Sequence, residues 1–128
     1  MRPRDTKAFK MVTAVGLTLP DVEATTRYDG SPVLRMHGVF LAGPATHPSA
    51  EPNTIVVRSA IEDRELLIAD APDTYYVTDC YKRYPLVLVR LGSIRRDALR
   101  DLLLISWRLT LAKTRQGRVA LRSLRALR

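Results

Sequence analysis

The chain has 128 residues, of which 46% are hydrophobic, one is cysteine, and the formal net charge is +8. This length predicts one folded domain, and the apolar content excludes disordered, collagen-like and low-complexity classes. No apolar run reaches the roughly 18 residues of a membrane span, and no signal-peptide core follows Met1, so we expect a cytoplasmic protein. A lone Cys80 excludes an internal disulfide and a cysteine-based zinc site.

Positive charge is concentrated in the last third of the chain. Residues 1–81 contain 8 Lys/Arg and 11 Asp/Glu, whereas residues 82–128 contain 13 Lys/Arg and 2 Asp/Glu. A basic region of this kind attracts nucleic acid or anionic lipid headgroups more strongly than evenly spread charge does. A role in solubility alone is the alternative that composition leaves open.

The first half of the sequence predicts one helix followed by hairpins. Apolar residues spaced by three and four favour an amphipathic helix over 5–17. A threonine-rich stretch at 24–28 and an Asp-Gly-Ser-Pro turn predict the start of a hairpin. One or two strands follow over 33–42, with Gly38 permitting a bend, and the proline-rich segment 43–53 is predicted to be an exposed loop.

The second half predicts three further strands and a helix. Ser59 and Glu62 have the spacing of a capping box, which predicts a helix that ends before Pro72. The strands are predicted over 54–58, 75–78 and 85–91. The last of these is almost continuously apolar, so we expect it to lie centrally and to be covered on both faces.

A final helix is predicted from Ile94 to about Lys113. Its core face is expected to contain Ile94, Ala98, Leu102, Ile105, Leu109 and Ala112. Leu104, Trp107 and Leu111 fall near the opposite side, so the second half is apolar nearly all round and must be covered by something else. The segment 114–128 is predicted to be an Arg-rich amphipathic helix, which is one cover; a partner helix or a second copy of the chain is another.

The residues that could carry catalysis are few. Cys80, His37 and His47 are the only thiol and imidazole groups, and no known catalytic or phosphate-binding motif surrounds them. Acidic residues in the first turns of a predicted helix interact favourably with the helix dipole, so their presence needs no catalytic explanation. We therefore predict no enzymatic activity, no metal site and no cofactor. A further alternative is a small-ligand site, although no motif supports it. Its residues would be Tyr75, Cys80, Tyr81 and Trp107.

Four segments, in order, resemble motifs of the MmcQ/YjbR family. The stretch 84–91 (YPLVLVRL) is similar to the family's YPxVLVRL strand, and 30–42 is similar to its GTPxFKVxGKxFA hairpin. The stretch 71–78 (APDTYYVT) looks like DPETFFVT, and the last predicted helix resembles LxxAWRxxAPK. The likeness covers about residues 6–113, which we take as the domain 1–113 with 114–128 as an extension.

The resemblance implies an α+β fold of the CyaY/frataxin type, with helices packed on one face of an antiparallel sheet. It also implies DNA binding through paired hairpin wings, and no enzymatic activity is established for the family. Two departures stand out. Cys80 occupies the place where family members usually have His, and Gly38-Val39 replaces a Lys or Arg followed by Gly.

We predict weakly sequence-specific DNA binding through contacts to the phosphate backbone. The candidate residues are Arg35, Arg58, Lys82, Arg83, Lys113, Arg115, Arg118, Arg122 and Arg125. Tyr81 and Tyr84 are interpreted as turn packing in preference to base stacking. The alternative function is a protein-interaction or dimerisation module that uses Leu104, Trp107 and Leu111 with the basic tail.

Overall fold

The structure is a computed structural model that describes the backbone of residues 3–113 and the side chains of residues 9–113. The predicted extension 114–128, with Arg115, Arg118, Arg122 and Arg125, lies outside the described residues. The described residues form three helices, α1 (Pro3–Gly16), α2 (Ile61–Asp70) and α3 (Arg96–Leu111). The strands are β1 (Val22–Thr26), β2 (Pro32–Met36), β3 (Val39–Pro44), β4 (Thr54–Arg58), β5 (Tyr75–Tyr76) and β6 (Leu86–Arg90).

The strands form one antiparallel sheet in the order β1-β2-β3-β4-β6-β5. This is the predicted α+β class. The apolar strand β6 lies inside the sheet between β4 and β5, and its three central residues are buried, as its continuous hydrophobicity predicts. Within the part of the chain that the structure describes, none of the helices has the length and apolar content needed to cross a membrane.

The helices share one face of the sheet, which we call the helix face. One core cluster joins Val12 of α1, Leu103 of α3 and alternate strand residues such as Ile55 and Val57. Leu67 of α2 packs against the same cluster. The opposite face, which we call the loop face, carries the buried residues Val56 and Leu88, which lie outside this cluster.

A β-bulge in β3 decides which side chains reach the loop face. Ala42 pairs with Leu34 and Phe40 pairs with Arg35, so Leu41 is the extra residue between them. Leu41 and Ala42 both join the core as a result. Phe40 and Gly43 then fall together on the loop face.

Two local predictions are wrong. The helix α2 begins at Ile61 after Ala60, with no side-chain cap, and the Ser59 hydroxyl donates to the Ala60 carbonyl, so the capping box does not form. On α3, the buried residues are Leu99, Leu102, Leu103, Ser106 and Thr110. The core face is therefore rotated away from Ile105 and Ala112, both of which are exposed. Two polar residues, Ser106 and Thr110, occupy positions that the hydrophobic pattern could not assign to the core.

Candidate nucleic-acid interface

Two loops pack together over the loop face. The proline loop (residues 45–53) joins β3 to β4, and the aromatic loop (residues 77–85) joins β5 to β6. The backbone N–H of His47 donates to the Tyr81 hydroxyl at 3.0 Å, and the Ser49 and Thr78 hydroxyls lie 2.9 Å apart. These contacts tie the two loops to each other and fix Tyr81 as a packing residue, in line with the interpretation from sequence.

Buried Arg64 anchors the aromatic loop from α2. Its guanidinium donates to the carbonyls of Lys82, Tyr84 and Leu86 at 3.1, 3.0 and 3.2 Å. The residue is only 2% exposed, and Nε lies 3.8 Å from the Glu65 carboxylate, beyond hydrogen-bond distance. The main chain that carries Lys82, Arg83 and Tyr84 is therefore held by one side chain.

Arg27 lies across the bulged strand β3. Its guanidinium donates to the Pro44 carbonyl at 2.9 Å, and its carbon Cζ sits 5.7 Å from the centre of the Phe40 ring. Gly43 makes this approach feasible, because a Cβ at that position would come within 2.6 Å of Nη2 of Arg27. The bulge and the glycine together create a place for a cation stacked on an aromatic ring.

A cleft of about 300 Å³ opens beside this pair, lined by Phe40, Arg58, Tyr84, Pro85 and Leu86. Nε of Arg58 donates to the Phe40 carbonyl at 3.0 Å, which places the guanidinium at the end of β4. Tyr84 is 50% exposed, and Arg83 lies over its ring with Cζ 5.9 Å from the ring centre. We call these five lining residues, with Arg27, Arg35 and Arg83, the Arg–aromatic groove.

The groove has an excess of positive charge. Burial lowers the pKa of the Arg27 guanidinium, and the nearby Asp29 carboxylate opposes that shift. Burial also lowers the pKa of Arg58. Among the described residues, neither of these two arginines nor Arg35 has a carboxylate within 4.0 Å. Partly desolvated cations without a counter-ion favour the approach of an anion.

Arg90, on the same face, differs from these arginines because its guanidinium is already bound within the protein. It donates to both carboxylate oxygens of Glu51, with the shortest contact at 2.6 Å, and to the carbonyls of Pro72 and Asp73. Its Cζ lies 4.1 Å from the centre of the Tyr76 ring. Hydrogen bonds from Arg90 lower the pKa of the Glu51 carboxyl. Arg90 therefore has little remaining capacity for an external anion.

The predicted site residues divide into two groups. Arg35 is the neighbour of Phe40 across the β2–β3 pair, Arg58 lines the groove, and Arg83 lies over the Tyr84 ring. Lys82 belongs to the aromatic loop, two residues before Tyr84. Lys113 follows α3, which packs on the helix face, so the structure does not bring it to the groove. The four arginines of the extension cannot be placed, since they lie beyond the described residues.

The apolar side expected at Leu104, Trp107 and Leu111 is largely covered. All three residues are half-buried, and Trp107 packs against the core. The indole N–H of Trp107 donates to the Pro20 carbonyl at 2.8 Å. The loop after α1 thus contacts Trp107 on the side that we expected to need a tail or a partner. Ile105, in contrast, is a large apolar residue of α3 that is exposed to solvent.

The structure does not bring all of the residues weighed for catalysis or small-ligand binding into one site, although the His47 and Tyr81 rings lie 6.0 Å apart in the two packed loops. The imidazole of His47 is 2.9 Å from the Ser49 hydroxyl in the proline loop, and His37 lies 3.4 Å from Asp21 at the β2–β3 turn. Cys80 is exposed in the aromatic loop, whereas Tyr75 faces the core on the helix face. Within the described part of the chain, no three metal-ligating side chains converge.

Comparison of the chain with protein-family models, with curated proteins and with solved structures finds no match. The resemblance of four sequence motifs to the MmcQ/YjbR family therefore stays a prediction.

Sequence reasoning missed Arg27, Phe40 and Gly43 as site residues. A weak signal was available, because Gly43 lies near the end of a strand, next to Pro44, and a glycine in a strand often marks a bulge or a close approach. The partner of that approach, Arg27, is 16 residues away in the chain. Its position could be known only from the folded sheet.

Proposed function

We propose that the chain is a non-enzymatic DNA-binding protein that holds single-stranded DNA in the Arg–aromatic groove. The observation that carries the proposal is the placement of two aromatic rings, Phe40 and Tyr84, beside arginines that have no carboxylate partner. Proteins that bind single strands combine a cationic groove with aromatic platforms for bases. Tyr84 is 50% exposed, which makes base stacking there more favourable than the sequence suggested.

Weak sequence preference follows from the chemistry of the contacts. Guanidinium and ammonium groups bind phosphate oxygens, and a phosphate carries no sequence information. Stacking is also tolerant, since every base has a π-face. The proposal includes a cytoplasmic location, for which a single unpaired cysteine is the supporting observation.

Salt-dependent binding tests the proposal. Fluorescence anisotropy with a labelled strand of about 12 nucleotides, and with the matching duplex, gives the affinity from low to high salt. Five phosphate contacts, from Arg27, Arg35, Arg58, Lys82 and Arg83, predict a slope of log K against log salt of about −3 to −4 for the single strand. A slope near zero, or tighter binding to the duplex, contradicts the proposal.

Matched variants of the full chain localise the binding. Arg83→Gln removes an exposed cation from the groove and is expected to reduce the slope by about 0.7. Arg100→Gln removes an exposed cation from α3 on the helix face and should leave the slope unchanged. Equal losses in both variants would mean that binding depends on total charge and not on the groove.

The aromatic platform is tested separately. Tyr84→Ala is expected to weaken single-strand binding roughly 5- to 100-fold, because one stacked base contributes about 1–3 kcal/mol. Tyr84→Phe keeps the ring and should bind within about twofold of the natural chain. If the two variants bind equally well, Tyr84 is not a stacking platform.

A further inference from the structure

A cleft of about 580 Å³ opens on the helix face between α2 and α3, and we call it the α2/α3 cleft. Leu66 and Leu67 of α2 line it, together with Leu102 and Ile105 of α3. Leu66 and Ile105 are 69% and 52% exposed, so part of this apolar lining is in contact with solvent. A concave site of this size, with apolar walls and a few polar groups, is typical of small-ligand binding.

Three carboxylates also line the cleft without a counter-ion. Among the described residues, Asp63, Asp70 and Asp101 have no Lys, Arg or His nitrogen within 4.0 Å. The dipole of α2 favours Asp63 in the first turn of the helix, but it disfavours Asp70, which is the last residue of the helix. The fold therefore leaves the negative charge of Asp70 uncompensated, and a cation bound in the cleft would compensate it.

The carboxylates lie at two separate points of the cleft. Burial raises the pKa of the Tyr75 hydroxyl, and the charges of Asp70 and Asp101 raise it further, so both carboxylates lie near this residue of the cleft wall. Asp63 precedes Asp70 by seven residues, which is two helical turns on the same side of α2 and about 10 Å along its axis. The cleft thus offers negative charge at two points about 10 Å apart, with apolar side chains between them.

A buried hydroxyl in the cleft wall points independently to a ligand. Ser106 lines the cleft and is only 1% exposed, and its Oγ has no hydrogen-bond partner among the described residues. Buried polar groups are nearly always hydrogen-bonded, so this hydroxyl indicates a missing donor or acceptor. A ligand that complements the cleft therefore combines cations, an apolar body and an N–H or O–H group.

Arg58 borders both the α2/α3 cleft and the Arg–aromatic groove. Its Nε donates to the Phe40 carbonyl, on the groove side. Its guanidinium lies more than 4.0 Å from the three carboxylates of the cleft, so it does not form an ion pair with any of them. The cleft therefore keeps an excess of negative charge although a cation stands at its edge.

We propose that the α2/α3 cleft binds a linear aliphatic polyamine, in which ammonium groups are separated by methylene chains. One end of the ligand pairs with Asp63, and the other end pairs with Asp70 and Asp101. The methylenes pack against the apolar side chains between these points, and an amine N–H donates to the Ser106 hydroxyl. A ligand with three ammonium groups also matches the number of carboxylates in the cleft. This inference goes beyond the proposed function and does not depend on it.

Isothermal titration calorimetry of the full chain, in the absence of DNA, tests the site with spermidine, diaminobutane and diaminooctane. Spermidine is expected to bind as one molecule per chain. Diaminooctane should bind at least about 10-fold more tightly than diaminobutane, because its additional methylenes bury apolar surface in the cleft. Affinity that does not rise with chain length would mean that only charge is recognised, and would overturn the proposal. Trilysine binding as tightly as spermidine would also overturn it and would assign the cleft to a basic peptide.

Matched variants locate the bound polyamine. Asp70→Asn and Asp101→Asn are each expected to weaken spermidine binding about fivefold, the factor that one solvent-accessible ion pair contributes. Glu62→Gln removes an exposed carboxylate of α2 that does not line the cleft, and it should change the affinity by less than about twofold. Equal losses in Glu62→Gln and Asp70→Asn would show that binding follows net charge, which overturns the proposal.

The apolar contact has its own variant. Ile105→Asn replaces an exposed side chain, so the fold is expected to persist, and circular dichroism verifies this. The variant should reduce the advantage of diaminooctane over diaminobutane to about threefold or less, because the longer methylene chain loses its contact. An unchanged advantage, or a natural chain that binds no spermidine, overturns the proposal.

Discussion

Replacing Arg64 by methionine removes the guanidinium by which α2 holds the aromatic loop. The substitution keeps a long apolar stem and deletes three hydrogen bonds to the carbonyls of Lys82, Tyr84 and Leu86. A hydrogen bond to a charged group contributes about 1.5–3 kcal/mol, and partial hydration of the freed carbonyls recovers some of that loss. We expect the free energy of unfolding to fall by about 3–5 kcal/mol.

Urea denaturation followed by the fluorescence of Trp107, the single tryptophan, measures this loss. With a urea dependence of about 1.5–2 kcal/mol per molar, the midpoint should fall by about 2 M. Glu65→Ala is the control, because the exposed Glu65 carboxylate lies 3.8 Å from Nε and should contribute less than about 0.5 kcal/mol. A loss below about 1 kcal/mol for Arg64→Met would refute the idea that Arg64 anchors the loop.

Three further outcomes are expected. Gly43→Ala should displace the Arg27 guanidinium and lower the free energy of unfolding by about 1–3 kcal/mol through overpacking, which thermal melts would measure. The same variant should reduce the salt slope of DNA binding by about 0.7, which fluorescence anisotropy would measure. Arg90 lowers the pKa of Glu51, so the ion pair stabilises the fold above the ordinary pKa of a glutamate, and this stabilisation disappears as the pH falls through the lowered pKa. Glu51→Gln should therefore reduce the free energy of unfolding at neutral pH but not at low pH. Denaturation of both chains across an acid series checks this, and a loss that persists at low pH contradicts it. Trp107→Phe deletes the hydrogen bond to the loop after α1 and should cost about 1 kcal/mol in a chemical melt, whereas an unchanged midpoint would show that the bond contributes nothing.

Local pattern was enough to predict the α+β class, the order of helices and strands, and three of the groove's cations, Arg35, Arg58 and Arg83. Strand and helix periodicity are properties of neighbouring residues, so the buried strand β6 and the helix α1 could be predicted from their own sequences. Arg35, Arg58, Lys82 and Arg83 could be chosen because their segments were recognisable as strand or turn.

Tertiary structure decided which residues act together. The bulge at Leu41 turns Phe40 to the loop face, and Gly43 admits a guanidinium from 16 residues earlier. Arg64 looks like a solvated helix residue in the sequence but is buried, and its guanidinium donates to carbonyls of the aromatic loop and of β6. Arg90 looks available in the sequence but is bound to Glu51, 39 residues away. Charge and hydrophobic period are visible in the chain, whereas the partner that neutralises a charge or covers an apolar side chain exists only after folding.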